Sequence, residues 1–311
     1  MKKISIMIPC YNEEENVKPI SEAVSEMLEK ELPQYDYEIL FIDNDSKDCT
    51  RKYLEEICAG NKKIKAIFNT KNFGQFNSPF YGMLQTTGDC TICMCCDFQD
   101  PIELVPKFVE EWEKGYKIVC GIKTTSKENK IVYSLRSFYY KTIKKMSTVE
   151  QIEHFTGFGL YDKSFMDVLR ELDDPTPFIR GIVAELGPER KEIEYCQPER
   201  RAGKTHNNWA SLFDAAMLSF TSYTKTPIRV ATILGAILIF FNMFLAVAYI
   251  VAACIYTPLW SMWVVPILIS IYLVGSVLLF FVGMVGEYVL NINKRMLRRP
   301  LVTEERRINF D

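Results

Sequence analysis

Through the first half of the chain, short apolar runs alternate with amphipathic segments, the order expected of strands and helices laid down in turn around a parallel sheet. The predicted strands are Ile4–Ile8, Tyr37–Ile42, Lys65–Phe68, Thr91–Cys96 and Lys117–Gly121. Between the first two, Val17, Ile20, Val24, Met27 and Leu28 recur at helical spacing, and Tyr53, Leu54 and Ile57 do so before the third. Asp100-Pro101 reads as an N-cap followed by proline at the first helical position, opening a helix over Pro101–Lys114.

The pattern changes near residue 230. From Val230 to Gly286 there is no Asp, Glu, Lys or Arg. Two apolar spans, Val230–Tyr256 and Val264–Val285, flank a connector with a proline and two tryptophans. Roughly 20 apolar residues cross a bilayer core, and tryptophan favours its interface. A buried hairpin in a soluble core is the alternative, but core helices are amphipathic and shorter. Lys225 and Arg229 precede the first span, while Lys294, Arg295, Arg298 and Arg299 follow the second. Cationic flanks stay on the cytoplasmic side. The expectation is a multi-pass protein of the cell membrane with its N-terminal part in the cytoplasm. Just before the spans, Leu212, Phe213, Ala216, Met217, Phe220 and Tyr223 form one helical face, suited to lying in the interface or to packing on the domain. The expected organisation is a domain over residues 1–208, an interfacial helix over 209–227, a transmembrane hairpin over 228–287 and a basic tail over 288–311.

Composition narrows the chemistry. The 311 residues carry a net charge of −2, which gives no sign of nucleic-acid binding. Met1-Lys2-Lys3 precedes an apolar run that breaks at Pro9, too short for a secretory signal. Ten cysteines in a chain of this size do not form a disulfide scaffold. Cys90, Cys93, Cys95 and Cys96 lie within seven residues, but alternation along a strand would keep their thiols from converging on one ion.

Polar clusters fall where the predicted strands end: Pro9-Cys10-Tyr11-Asn12-Glu13, Asp43-Asn44-Asp45-Ser46, Asn69–Gly74 and Asp97-Phe98-Gln99-Asp100. Ligands of open parallel sheets bind there. Any one cluster is ordinary turn chemistry; four in succession point to a polar, metal-assisted site. No phosphate-binding glycine loop occurs, and Gly157-Phe158-Gly159 lacks the third glycine of a dinucleotide fingerprint. A bound nucleotide would need a cation, and the oxygen ligands of Asp97 and Gln99 suit Mg²⁺ or Mn²⁺.

These segments, together with Asn72-Phe73-Gly74, Phe178-Ile179-Arg180-Gly181, Arg200-Arg201-Ala202-Gly203-Lys204-Thr205, Arg229–Gly235 and Arg299-Pro300-Leu301, resemble the family 2 glycosyltransferases. Within them the likeness is to polyprenyl-phosphate glycosyltransferases of the dolichol-phosphate mannose synthase and bactoprenol glucosyltransferase group. The resemblance implies an α/β domain of glycosyltransferase-A type, a Rossmann-like mixed sheet, ahead of the two-helix hairpin. It implies inverting transfer of one sugar from a nucleotide sugar, a UDP-hexose or UDP-N-acetylhexosamine, to a polyprenyl (undecaprenyl) phosphate. Another membrane lipid as acceptor, or a non-catalytic nucleotide-sugar binder, are the alternatives. A short membrane anchor can also pack into a homo-oligomer.

By the same resemblance Pro9, Tyr11, Asn12, Glu13, Asp43 and Asn72 hold the donor, Asp97 and Gln99 ligate the metal, and Arg200 meets phosphate. Arg136, in a helical stretch with Tyr133, Tyr139 and Tyr140, is a further candidate for stabilising the departing diphosphate, so Asp97, Arg200 and Arg136 are the catalytic candidates. Arg136 on a solvated helix face is the competing account. Two positions depart from the family pattern. Cys95 stands where the metal motif usually has its first Asp, and Gly157 where many relatives are acidic. A phosphate monoester acceptor has a second pKa near 6 and is largely dianionic at neutral pH, so it needs no general base.

Overall fold

The computed structural model describes residues 1–125, 152–202 apart from 173 and 188, isolated positions between 217 and 251, and 264–310 apart from 298. Strands β1 (Lys3–Cys10), β2 (Asp36–Asp43), β3 (Ile64–Asn69) and β4 (Cys90–Cys93) are parallel, in the order β4-β1-β2-β3. Helices α1 (Val17–Glu31), α2 (Thr50–Gly60) and α3 (Gly74–Leu84) connect them. The sheet continues beyond β4 with β6 (Phe155–Asp162), β5 (Ile118–Thr125) and β7 (Lys191–Cys196). Because β6 runs antiparallel to both β4 and β5, the sheet is mixed. Helices α4 (Val105–Glu113), α5 (Lys163–Glu171) and α6 (Ile179–Leu186) complete the domain.

Alternation along the strands divides the core between two faces. Ile4, Ile6, Ile8, Ile39, Phe41 and Phe68 pack on one side with α1, α2 and α4. Met7, Leu40, Ile42 and Ile67 pack on the other with α3, α5 and α6. Both faces are covered, which is why the central strands read as nearly continuous apolar runs.

Two expectations need correction. The strand predicted over Thr91–Cys96 stops at Cys93. Met94 still donates its N–H to Met7 O, but Cys95 N–H turns to the carboxylate of Asp100. Asp100 therefore does not cap a helix: its side chain closes the 95–100 loop. A 3-10 turn over Ile102–Leu104 precedes α4, and no side-chain cap opens either.

At the other end of the chain, α7 (Val264–Met296) is a 33-residue helix that contains the second expected span. Among the described residues its segment Ser270–Leu290 is the one helix long and apolar enough to cross a membrane, and none of it is buried against protein. That exposure is the opposite of a soluble core helix. Of the first span, only isolated positions between 233 and 251 are described, all helical, so the hairpin as a unit lies outside the described residues. The interfacial helix over 209–227 does too, apart from Met217.

The chain then returns to the sheet. β8 (Glu304–Ile308) lies antiparallel on the outer edge of β3, within the expected basic tail, with Glu304 opposite Asn69. It therefore enters at the carboxyl ends of the parallel strands. Residues 297–303 can span at most about 25 Å, so α7 ends close to that side of the sheet.

Candidate active site

The strand order reverses at β1: β2 follows on one side and β4 lies on the other. Such a switch point leaves a crevice beyond the carboxyl ends of the two diverging strands. The β1 end supplies Pro9, Tyr11, Asn12 and Glu13, and the β4 end supplies Cys95 to Asp100. Glu13 and Asp97, one from each side, meet on one guanidinium. Arg200 Nη2 lies 2.9 Å from Asp97 Oδ2, and Nη1 lies 3.6 Å from Glu13 Oε1. Both carboxylates are buried, at 9% and 5% exposure, so each needs a charged partner.

The segment carrying Arg200 drapes over this crevice. Arg201 N–H donates to Asp97 O at 3.4 Å, and its guanidinium sits over the Phe98 ring. Ala202 O accepts from Asn16 Nδ2, whose amide also donates to Glu13 Oε2 at 2.6 Å. Three loops far apart in sequence are thus joined around Glu13 and Asp97.

Backbone conformation marks the same place. Asn12, Asp45 and Phe98 have φ of 54°, 67° and 61°, in the left-handed region, at the tips of β1, β2 and β4. Asparagine and aspartate tolerate that region, whereas phenylalanine seldom does. Phe98 stays there because Gln99 N–H donates to Asp97 Oδ1 at 3.1 Å and Arg201 covers its ring. Such outliers concentrate at functional sites.

Within the 95–100 loop, burial raises the Asp100 carboxyl to about 6, although the Cys95 N–H and thiol and Tyr195 Oη–H hydrogen-bond to it. Surrounding protein, then Asp100 and Asp97, push the Cys95 thiol well above the ordinary range, although the residue keeps exposed surface. A protonated thiol is no ligand for a hard cation, so Cys95 does not replace the missing carboxylate.

The fit of Mg²⁺ or Mn²⁺ rests on Asp97. Among the described residues no three His, Cys, Asp or Glu gather into a cage for an ion. Mg²⁺ is normally held by one or two carboxylates plus substrate phosphates, and Asp97 meets that need with Gln99 beside it. The donor set therefore fits a cation that arrives together with a diphosphate.

Other candidates are placed differently. Asp43 has no exposed surface; its oxygens accept from Ser46 N–H and from Arg51 Nε–H at 2.8 Å. Its carboxylate supports the loop after β2. Asn72, at the surface, accepts from Gly74 N–H and from Asn44 Nδ2, while Asn69 Nδ2 donates to Asn44 Oδ1, building an asparagine ladder across the β2 and β3 tips. Arg136 lies outside the described residues. Gly157 has φ of 104°, a conformation that side chains of the family's acidic type rarely adopt. Arg51 and Tyr195 carry no signal in the sequence, because each sits inside a segment whose local pattern shows only an ordinary helix or strand.

Residues 5–169 match the profile of Glycosyl transferase family 2. The chain is 30% identical over 300 residues to a bactoprenol glucosyl transferase of Shigella phage SfX, covering 96% of this chain and 97% of that protein. It is 28% identical over 313 residues to a prophage bactoprenol glucosyl transferase homolog of Escherichia coli K12, covering 96% and 97%. Among solved structures, glucosyl-3-phosphoglycerate synthase of Mycobacterium tuberculosis, crystallised with Mn²⁺, UDP-glucose and glycerol 3-phosphate, aligns with a TM-score of 0.50. That alignment has 14% identity and covers 71% of this chain and 78% of the other. At that identity the likeness is one of fold.

Proposed function

Because the chain belongs to glycosyltransferase family 2, we propose that it transfers a single sugar, with inversion, from a nucleotide sugar to polyprenyl phosphate at the cytoplasmic membrane face. The donor is a UDP-hexose or UDP-N-acetylhexosamine. One observation carries this reading: Glu13 and Asp97 converge on Arg200 in a strand-tip crevice on the side of the sheet where the chain returns from an exposed apolar helix. A charged donor and a lipid-borne acceptor can meet there.

The acceptor phosphate is already a dianion at neutral pH, so the site's work is alignment and charge stabilisation. Asp97, with Gln99, would hold Mg²⁺ or Mn²⁺, and the cation would offset the charge of the departing diphosphate. Arg200 brings a second positive charge to the same crevice, and burial strengthens its effect on a developing anion. Glu13 pairs with Arg200, and Tyr11, Asn12 and Glu13 at the end of β1 would receive the nucleoside. Gly157 leaves no carboxylate at the position where relatives are acidic, which agrees with an acceptor that needs no base.

Helix α7 and the span before it anchor the enzyme. Both ends of that anchor lie on the cytoplasmic side, consistent with a catalytic domain built from sequence on either side of it.

The test uses membranes containing the full chain, labelled UDP-glucose or UDP-N-acetylglucosamine, undecaprenyl phosphate and Mn²⁺. Acid-labile label in a polyprenyl-phosphate product supports the reading. Label in another lipid would move the acceptor, and nucleotide binding without any transfer would make the chain a binding relative.

A further inference from the structure

The strand that follows the apolar helix does more than cover an edge. Arg51, in the first turn of α2, donates Nε–H to Asp43 Oδ2 at 2.8 Å, Nη2–H to Asn69 O at 2.7 Å and Nη1–H to Glu305 Oε2 at 2.9 Å. One guanidinium joins the carboxyl ends of β2 and β3 to the start of β8. From Asp43 the contacts continue inward. Its two oxygens lie 3.3 and 3.2 Å from Ser46 N, Ser46 Oγ accepts from Asn12 N–H at 2.8 Å, and Asn12 Oδ1 accepts from Lys47 N–H at 2.7 Å. Asn12 and Asp45, both left-handed, lie on the two loops this path joins.

We infer that Arg51 and Glu305 are positioning residues for the donor: the path Glu305–Arg51–Asp43–Ser46–Asn12 holds the loops after β1 and β2 in the shape that receives a nucleoside diphosphate. The inference rests on the reading above, in which Tyr11, Asn12 and Glu13 face the donor. Its physical basis is the buried Asp43 carboxylate. With no exposed surface, that group needs a charged, hydrogen-bonded partner, and Arg51 is the one it has among the described residues. Arg51 is itself oriented from both sides, by Asn69 O and by Glu305, which is half-exposed. A residue 254 positions away in sequence thereby sets the angle at which Arg51 presents Nε to Asp43. Since β8 follows α7 within a few residues, the donor loops are complete only when the chain has returned from the apolar helix.

A simple brace would have the same geometry, so the experiment needs a control on the same strand. Arg306 on β8 also pairs with Glu55 on α2, without touching Asp43. Full-length protein in detergent is titrated with UDP and with GDP, each with Mn²⁺, and steady-state constants are measured for the donor. Glu305→Gln is expected to weaken nucleotide binding roughly threefold and to raise the donor KM with kcat unchanged, and Arg51→Lys to do so roughly tenfold. Glu55→Gln should leave both constants as they are. In a Ser46→Ala background, Glu305→Gln should add nothing, because both act on one path.

Equal losses from Glu55→Gln and Glu305→Gln would overturn the inference in favour of strand docking. Binding weakened by Ser46→Ala but untouched by Glu305→Gln and Arg51→Lys would overturn the path alone. If Arg51→Lys fails to fold, Glu305→Gln carries the test. Wild-type protein that binds neither nucleotide would overturn the donor-site reading itself.

Discussion

Arg200 Nη2 stands 2.9 Å from Asp97 Oδ2, tying a loop near residue 200 to the end of β4 across the switch point of the sheet. The arginine holds the carboxylate proposed to take a divalent cation, so in the absence of donor the guanidinium and the cation would compete for the same oxygen. Asp97→Asn should lower kcat by about 100-fold or more, as expected when a group stabilising transition-state charge is lost. Arg200→Ala should also cut transfer, yet tighten Mn²⁺ binding measured without nucleotide by electron paramagnetic resonance. Unchanged Mn²⁺ binding in Arg200→Ala would break that argument.

Cys95 offers only a protonated thiol where the family pattern has a carboxylate. Cys95→Asp should raise Mn²⁺ affinity roughly tenfold, since cation affinity follows the number of charged oxygen ligands. Removal of divalent ions with EDTA should stop sugar transfer in the wild type, with recovery on adding Mn²⁺. Persistent transfer in EDTA would rule out the metal assignment to Asp97.

Glu38 provides a pH signature unrelated to the crevice. Burial opposes its charge, but hydrogen bonds from Ser5, Lys3, Lys65 and Thr87 prevail and hold its pKa down at about 2, against an ordinary 4.5. The folded value lies below the unfolded one, so its stabilisation is complete above pH 4.5 and is lost as pH falls from 4.5 towards 2. Glu38→Gln should cost about 2 kcal/mol at pH 7 and flatten the fall in stability across that acid window. Urea unfolding of wild type and variant at a series of pH values reads this directly.

Gly159 tests the pairing that turns the sheet antiparallel beyond β4. A Cβ there would sit 2.4 Å from Val119 O, a backbone atom of β5 that cannot yield. Gly159→Ala should destabilise by about 3 kcal/mol. Gly60→Ala, at the end of α2 with open space around it, should be neutral or stabilising by about 0.5 kcal/mol. Thermal melts of the two variants should move in opposite directions or differ by many degrees.

Leu279 is 73% exposed in the middle of the apolar segment of α7. Leu279→Arg should penalise insertion by about 3 kcal/mol if this helix spans the bilayer. The fraction of protein recovered in washed membranes should fall relative to Leu279→Ala. Equal recovery would count against the span.

Much of this protein can be read from local pattern alone. The alternation of apolar runs located β1, β2, β3 and β5 to within a few residues, and the resemblance carried by the strand-end motifs identified the family that the profile match shows. Local signals succeed there because periodicity and strand-end polarity depend on near neighbours in sequence. They fail where a side chain answers to a distant partner. Asp100 has the local signature of an N-cap but turns to Cys95 and Tyr195, since closing the loop satisfies a part-buried N–H that no cap would reach. Arg51 looks like an ordinary residue of a helix but pairs with Asp43 at the end of β2, and β8 hides in a charged tail because its pairing with β3 spans more than two hundred residues. The chain by itself thus determined which residue types stand at the strand ends. Only the tertiary structure decided which of them face the crevice and which hold it open, because that choice depends on charge pairs and strand pairings made across the whole length of the molecule.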